Sequence, residues 1–132
     1  DCVVIGGGLV GAETAEYLAN KGHQVTIVEM MDKIAAGEST TVLPLMMKDF
    51  ADHNVKQLVN TKVDHIENNI VYTANEQIKA DTIINALGSK KNIFDDSSIL
   101  IPHVYVGDCS GERTADIASA IRTAYHAANE IG

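Results

Sequence analysis

The chain has 132 residues, 45% of them hydrophobic and 21% charged, which suits one packed domain and excludes a disordered polymer. No apolar run reaches the ~20 residues of a membrane-spanning helix, so no membrane partner is expected. The formal net charge is −8 and the ten lysines and arginines are scattered, which excludes the basic footprint of a nucleic-acid or anionic-lipid binder. Any anion this chain holds must therefore be held by local backbone geometry.

Cys2–Ile5 is a short apolar run ending in glycines and reads as a buried central strand of a parallel sheet. From Leu9 to Lys21 the positions Gly11, Ala15, Leu18 and Ala19 share a helical face, and Gly22 follows where a left-handed cap belongs. Gln24–Glu29 is β-branched-rich and reads as a second strand, which completes a right-handed βαβ unit. Met30–Thr40 reads as a loop. Thr41–His53 reads as a helix with Thr41 as N-cap, Pro44 in the first turn, and Val42, Met46 and Phe50 on its core face.

Val55–Val59 reads as a third strand. Lys62–Glu67, Asn69–Thr73 and Gln77–Ala80 follow, with Asn68-Asn69 and Ala74-Asn75 supplying turns between them, the pattern of an antiparallel meander. Asp81–Leu87 reads as another buried parallel strand ending at Gly88. Ser89–Ser98 is polar and reads as a linker. His103–Val106 reads as a last strand and Thr114–Ile131 as a helix, with Ile117, Ile121, Ala124, Ala128 and Ile131 at helical spacing.

Gly6-Gly7-Gly8-Leu9-Val10-Gly11 contains G-x-G-x-x-G at Gly6, Gly8 and Gly11. Gly6 permits the tight turn out of the strand. Gly8 lets a pyrophosphate approach the backbone. Gly11 lets the helix pack close to the strand. The helix start, at Leu9 and Val10, offers unpaired N–H groups and a partial positive charge to phosphates. Glu29 ends the next strand 18 residues after Gly11, near the ~20 of a dinucleotide-binding fingerprint. Its carboxylate is suited to ribose hydroxyls and repels a 2′-phosphate, so NAD(H) is expected and NADP is disfavoured. The fold class is accordingly α/β: a Rossmann-like three-layer nucleotide-binding domain, with a parallel sheet, helices and an antiparallel β-meander.

Ile5-Gly6-Gly7-Gly8-Leu9-Val10-Gly11-Ala12-Glu13 resembles the NAD(P)-binding fingerprint of the pyridine nucleotide-disulfide oxidoreductase superfamily of flavoproteins. The resemblance implies a place for Glu13 near the nicotinamide. Asp81–Gly88 is similar to the strand that closes that NAD module, with Gly88 near the cofactor; Lys91 stands where the family often has proline. Ile101–Cys109 resembles the later flavin-binding segment, which implies that Asp108 contacts FAD. The Val106–Cys109 sequence and the following Ala115–Ile121 look most like the C-terminal part of NADH:flavin oxidoreductases, 2,4-dienoyl-CoA reductases and enoate reductases. In those an FMN barrel with an iron–sulfur cluster precedes this module.

The resemblance implies an NAD-binding module at residues 1–90 and, at 91–132, a strand and helix like the end of an FAD-binding module. The parent would be an NADH-dependent flavoprotein oxidoreductase that passes hydride from NADH to FAD. The chain begins inside a strand without an initiator methionine, so it reads as a piece of a longer, cytoplasmic protein. The missing partners would be the FAD half and the FMN and iron–sulfur domains. The isolated piece is expected to bind nucleotide weakly and turn nothing over. No catalytic residue and no metal ligand set is expected, since cofactors carry hydride transfer. Cys2 and Cys109 and the five histidines form no ligand spacing. Two alternatives stay open: a parent of another NADH–FAD type, such as an NADH oxidase or ferredoxin reductase, and a non-catalytic module that senses NAD or another adenine nucleotide.

Overall fold

The structure is a computed structural model that describes residues 1–37, 39–92, 94–111 and 117–131. The chain divides into two compact units, Asp1–Gly88 and Ser89–Gly132.

In the first unit four strands form one parallel sheet: β1 (Cys2–Ile5), β2 (Val25–Val28), β3 (Lys56–Leu58) and β7 (Thr82–Asn85), in the order β3-β2-β1-β7. Helix α1 (Leu9–Asn20) connects β1 to β2, and α2 (Leu43–Asp52) precedes β3. Between β3 and β7 runs an antiparallel three-stranded sheet of β4 (Val63–Glu67), β5 (Ile70–Thr73) and β6 (Gln77–Lys79).

Strand alternation explains the layering. Cys2 and Val4 of β1, with Val25 and Ile27 of β2, join Ala12, Ala15, Met46 and Phe50 in a core under the two helices. Val3 and Ile5, with Val28, face the other way and pack with Val71 and Ala80 of the meander. All four residues of β1 are buried, as a strand covered on both faces must be.

The turns follow local chemistry. Gly22 takes a left-handed φ of 88° after α1 and donates its N–H to Ala19 O at 2.9 Å. Asn68 and Asn69 both lie at positive φ, 48° and 62°, the signature of a two-residue hairpin turn. The Thr73 hydroxyl accepts from the N–H groups of Asn75 and Glu76 and donates to Glu76 O, closing the next hairpin.

Several expectations are corrected. α2 starts at Leu43 with Val42 as its cap residue, so Thr41 is not the cap; Ser39 instead accepts from the Val42 N–H through its hydroxyl and from the Leu43 N–H through its carbonyl. Val42 is exposed, so the core face of α2 is Met46 and Phe50. β7 is an edge strand with half-buried Ile83 and Ile84, not a buried one, because only β1 pairs with it among the described residues. Other strand ends are trimmed by a residue or two, where backbone pairing stops before apolar character does.

In the second unit His103–Val106 is not a strand. The segment makes no ladder among the described residues, and its His103 and Tyr105 side chains hydrogen-bond Asp96 instead. Gly107–Cys109 forms one 3-10 turn, and α3 spans Ile117–Glu130. The Gly107 N–H donates to the Thr123 hydroxyl at 2.8 Å, which ties the turn to the helix. The helix start at Thr114 falls outside the described residues, as do Ala115 and Asp116. The apolar stripe on α3 does not define a core: Ile117 and Ile121 are exposed, while Ala127 is buried. No helix among the described residues is long and apolar enough to cross a membrane.

Candidate functional site

β1 is the switch point of the parallel sheet. The chain leaves it through α1 to β2 on one side and returns to it as β7 on the other. Open α/β sheets hold ligands at the carboxyl ends of strands flanking such a point. There, the Gly6-Gly7-Gly8 turn connects β1 to α1, Glu29 follows β2, and Ala86–Gly88 follows β7. A cavity of about 620 Å³ opens between them, within the ~300–1,000 Å³ range of small-molecule and cofactor sites.

The three fingerprint glycines meet different demands. Gly6 lies at φ 100°, and a β-carbon there would sit 2.5 Å from Ala86 O. A β-carbon on Gly11 would collide with Gly6 O and lie 3.2 Å from Ala86 Cβ, so α1 can cross β1 at this height only on a glycine. Gly8, the cap residue of α1, faces open space: a β-carbon there would meet nothing within 4 Å. The first turn of α1 is exposed at Leu9 and Val10, and the first N–H groups of a helix have no partner within it.

Glu29 is buried, at 8% exposure. Its Oε2 accepts from the Gly7 N–H at 2.6 Å and its Oε1 from the Met31 N–H at 2.7 Å. Its backbone joins the neighbouring strand end, donating to Leu58 O and accepting from the Thr61 N–H. The loop after β2 folds back over the turn, with Ala35 donating to Gly7 O at 2.6 Å and Ile34 buried beneath.

The predicted residues divide by place. Gly6, Gly8, Glu29 and Gly88 line the cavity. Leu9 and Val10 are exposed on the first turn of α1 and do not line the cavity, Gly11 is buried, and Glu13 is exposed one turn further along the helix. Asp108 lies exposed in the second unit, in the 3-10 turn. Sequence reasoning missed Thr61, Lys62 and His65, which also line the cavity. Lys62 is a cation at the cavity wall. Asn60, at φ 50°, reverses the chain before them, and its N–H donates to Met31 O at 2.8 Å. An asparagine just past a strand was the one available signal.

A parallel sheet with helices on one face and a meander on the other, and a glycine turn beside a buried carboxylate, define a dinucleotide-binding domain. The sequence profile of the family described as pyridine nucleotide-disulphide oxidoreductase matches residues 1–100. The chain belongs to this family of flavoprotein oxidoreductases, whose members use FAD and NAD(P)H. It is 46% identical over 136 aligned positions to a bilirubin reductase of Mediterraneibacter gnavus, covering 98% of this chain and 21% of that protein. Among solved structures, a 2-naphthoyl-CoA reductase superposes with a TM-score of 0.68 at 27% identity, over 94% of this chain and 20% of the other. A water-forming NADH oxidase from Lactobacillus brevis, bound to NADH, superposes with a TM-score of 0.53 at 25% identity, over 63% of this chain and 20% of the other. The chain thus spans about a fifth of each of these relatives.

Proposed function

We propose that this chain is the NAD(H)-binding part of a flavin-dependent oxidoreductase, and that the full-length protein delivers hydride from NADH to FAD. The observation that carries the reading is the meeting of the open Gly8 position, the α1 N-terminus and the buried Glu29 carboxylate at one cavity. NADH, when bound, supplies the hydride.

The chain's own residues bind and orient. The first turn of α1 offers its unpaired N–H groups to the pyrophosphate, and Gly8 leaves room for it. Glu29 uses one lone pair of each oxygen on the backbone and keeps others for ribose hydroxyls. A 2′-phosphate has no hydrogen to donate and would face a carboxylate poorly screened by water, so NADH is favoured over NADPH. Gly88 borders the cavity from β7, and Glu13 faces outward near the nicotinamide end. Residues 1–90 form the NAD part; residues 91–132, with Asp108, belong to the FAD-binding half.

Calorimetric titration of the chain with NADH, NADPH and FAD tests this. NADH is expected to bind in the micromolar range, with NADPH weaker by about tenfold or more from the lost hydrogen bond and the added repulsion. Binding of FAD or ADP with no binding of either nicotinamide nucleotide overturns the reading.

A further inference from the structure

Resting on that reading, we infer that Glu29 is a positioning residue for the phosphate-binding turn and not only a ribose ligand. Three observations converge. First, both carboxylate oxygens are already hydrogen-bonded within the chain, to Gly7 N at 2.6 Å and Met31 N at 2.7 Å. Second, the side chain is buried, so these bonds lie where an unmet N–H is costly.

Third, the middle glycine of the G-G-G turn is shaped to the Glu29 stem. A β-carbon on Gly7 would lie 3.0 Å from Glu29 Cβ and 2.5 Å from Ile34 Cδ1. The fingerprint leaves that position free, yet here a β-carbon would require the Ile34 side chain and the Glu29 stem to shift. The Gly7 N–H is fixed by Glu29 and its carbonyl by Ala35 N. Glu29 therefore connects the turn after β1 to the loop after β2 from below, and Gly8 is held where phosphates approach.

A carboxylate that reads only ribose and one that sets the turn differ in what their removal does. In the first case a nucleotide without ribose hydroxyls is indifferent to residue 29. In the second its binding is weakened too, because the turn itself loosens. Glu29→Gln and Glu29→Ala separate these. The glutamine amide can accept from only one of the two N–H groups and sets an NH₂ donor against the other.

Amide hydrogen exchange and binding of 2′,3′-dideoxy-ADP are measured on the wild-type chain and both variants. The Gly7 and Met31 amides are both expected to exchange about a hundredfold faster in Glu29→Ala, and at least one of them in Glu29→Gln, while Val4 and Ile27 keep their protection as the fold control. Dideoxy-ADP affinity is expected to fall about tenfold alongside, through loss of the charge-assisted bonds that fix the turn. Retained protection at both Gly7 and Met31 in Glu29→Ala, or unchanged dideoxy-ADP affinity in that variant, overturns the inference. Should the wild-type chain bind no adenine nucleotide, the functional reading fails, and the exchange measurement alone decides the role of Glu29.

Discussion

Gly11 rests against the carbonyl of Gly6, so closely that a β-carbon on Gly11 would overlap that oxygen and approach the Gly6 carbonyl carbon to 3.0 Å. The backbone of α1 thereby sits directly on the end of β1. Gly11→Ala is expected to destabilise the domain by about 1–3 kcal/mol through overpacking. Urea denaturation followed by circular dichroism measures it; a midpoint equal to wild type means the helix can lift without cost.

Gly8→Ala is the complementary case. Gly8 has an ordinary φ of −64° and open space at its β-carbon position. Stability is expected to change by less than about 1 kcal/mol, the cost of alanine at a helix cap. NADH affinity is expected to drop at least about tenfold, since a methyl group occupies the pyrophosphate approach. Equal affinities for the two proteins would place the phosphates elsewhere.

In the second unit the His103 ring presents Nε2 to Asp96 Oδ2 at 2.8 Å and Nδ1 to Ile101 O at 3.0 Å. Two acceptors facing both nitrogens favour the imidazolium, the form with two donors. The Ile101 carbonyl first and Asp96 second raise the His103 pKa above its ordinary 6.5. Hydrogen bonds from Tyr105 and His103 lower that of Asp96 below 3.8. The histidine contribution is complete below its unfolded pKa and is lost as pH rises through the raised folded value. The carboxylate contribution is complete above its unfolded pKa and is lost as pH falls through the lowered folded value. The cluster is therefore tightest between about pH 4 and 6.5. An NMR titration is expected to show His103 titrating above 6.5 and returning toward that value in Asp96→Asn.

Glu16 on α1 has a raised pKa, from burial first and then from the Asp49 carboxylate on α2. A carboxyl group with a raised folded pKa favours the folded state when protonated, so its effect turns unfavourable as pH rises through that value. Glu16→Gln is expected to raise the melting temperature at pH 7 by about one or two degrees and to change little at pH 3. A melting temperature that falls at pH 7 would show that the carboxylate makes a compensating contact.

Phe50 is fully buried between α2 and the sheet. Phe50→Ala is expected to cost about 3–5 kcal/mol, enough to broaden or abolish the thermal transition of the first unit. A sharp, unshifted transition would mean the core refills the space.

The legible parts of the molecule were those whose partners are near in sequence. Gly6, Gly8, Gly11 and Glu29 lie within one βαβ unit, and its turn and spacing requirements are local. The meander was visible for the same reason, since Asn68-Asn69 and Thr73 fix its hairpins. Lys62 and His65 reach the cavity only because the meander packs on Val3, Ile5 and Val28, which no local pattern encodes. The strand expected at His103–Val106 failed because apolar alternation describes a side-chain pattern, whereas a strand needs a neighbouring backbone. The use of Gly7 appears only when Glu29 is folded over it.

The register of β1 has a kinetic side. Cys2–Ile5 pairs along one edge with β2, close in sequence, and along the other with Thr82–Asn85. The second pairing must wait until nearly all of the first unit has been synthesised and must close a loop containing two helices and the whole meander. Non-local parallel pairing of this kind slows folding. Until β7 arrives, the most apolar strand of the domain carries an open edge, and that interval is when the nascent chain is most exposed to intermolecular pairing.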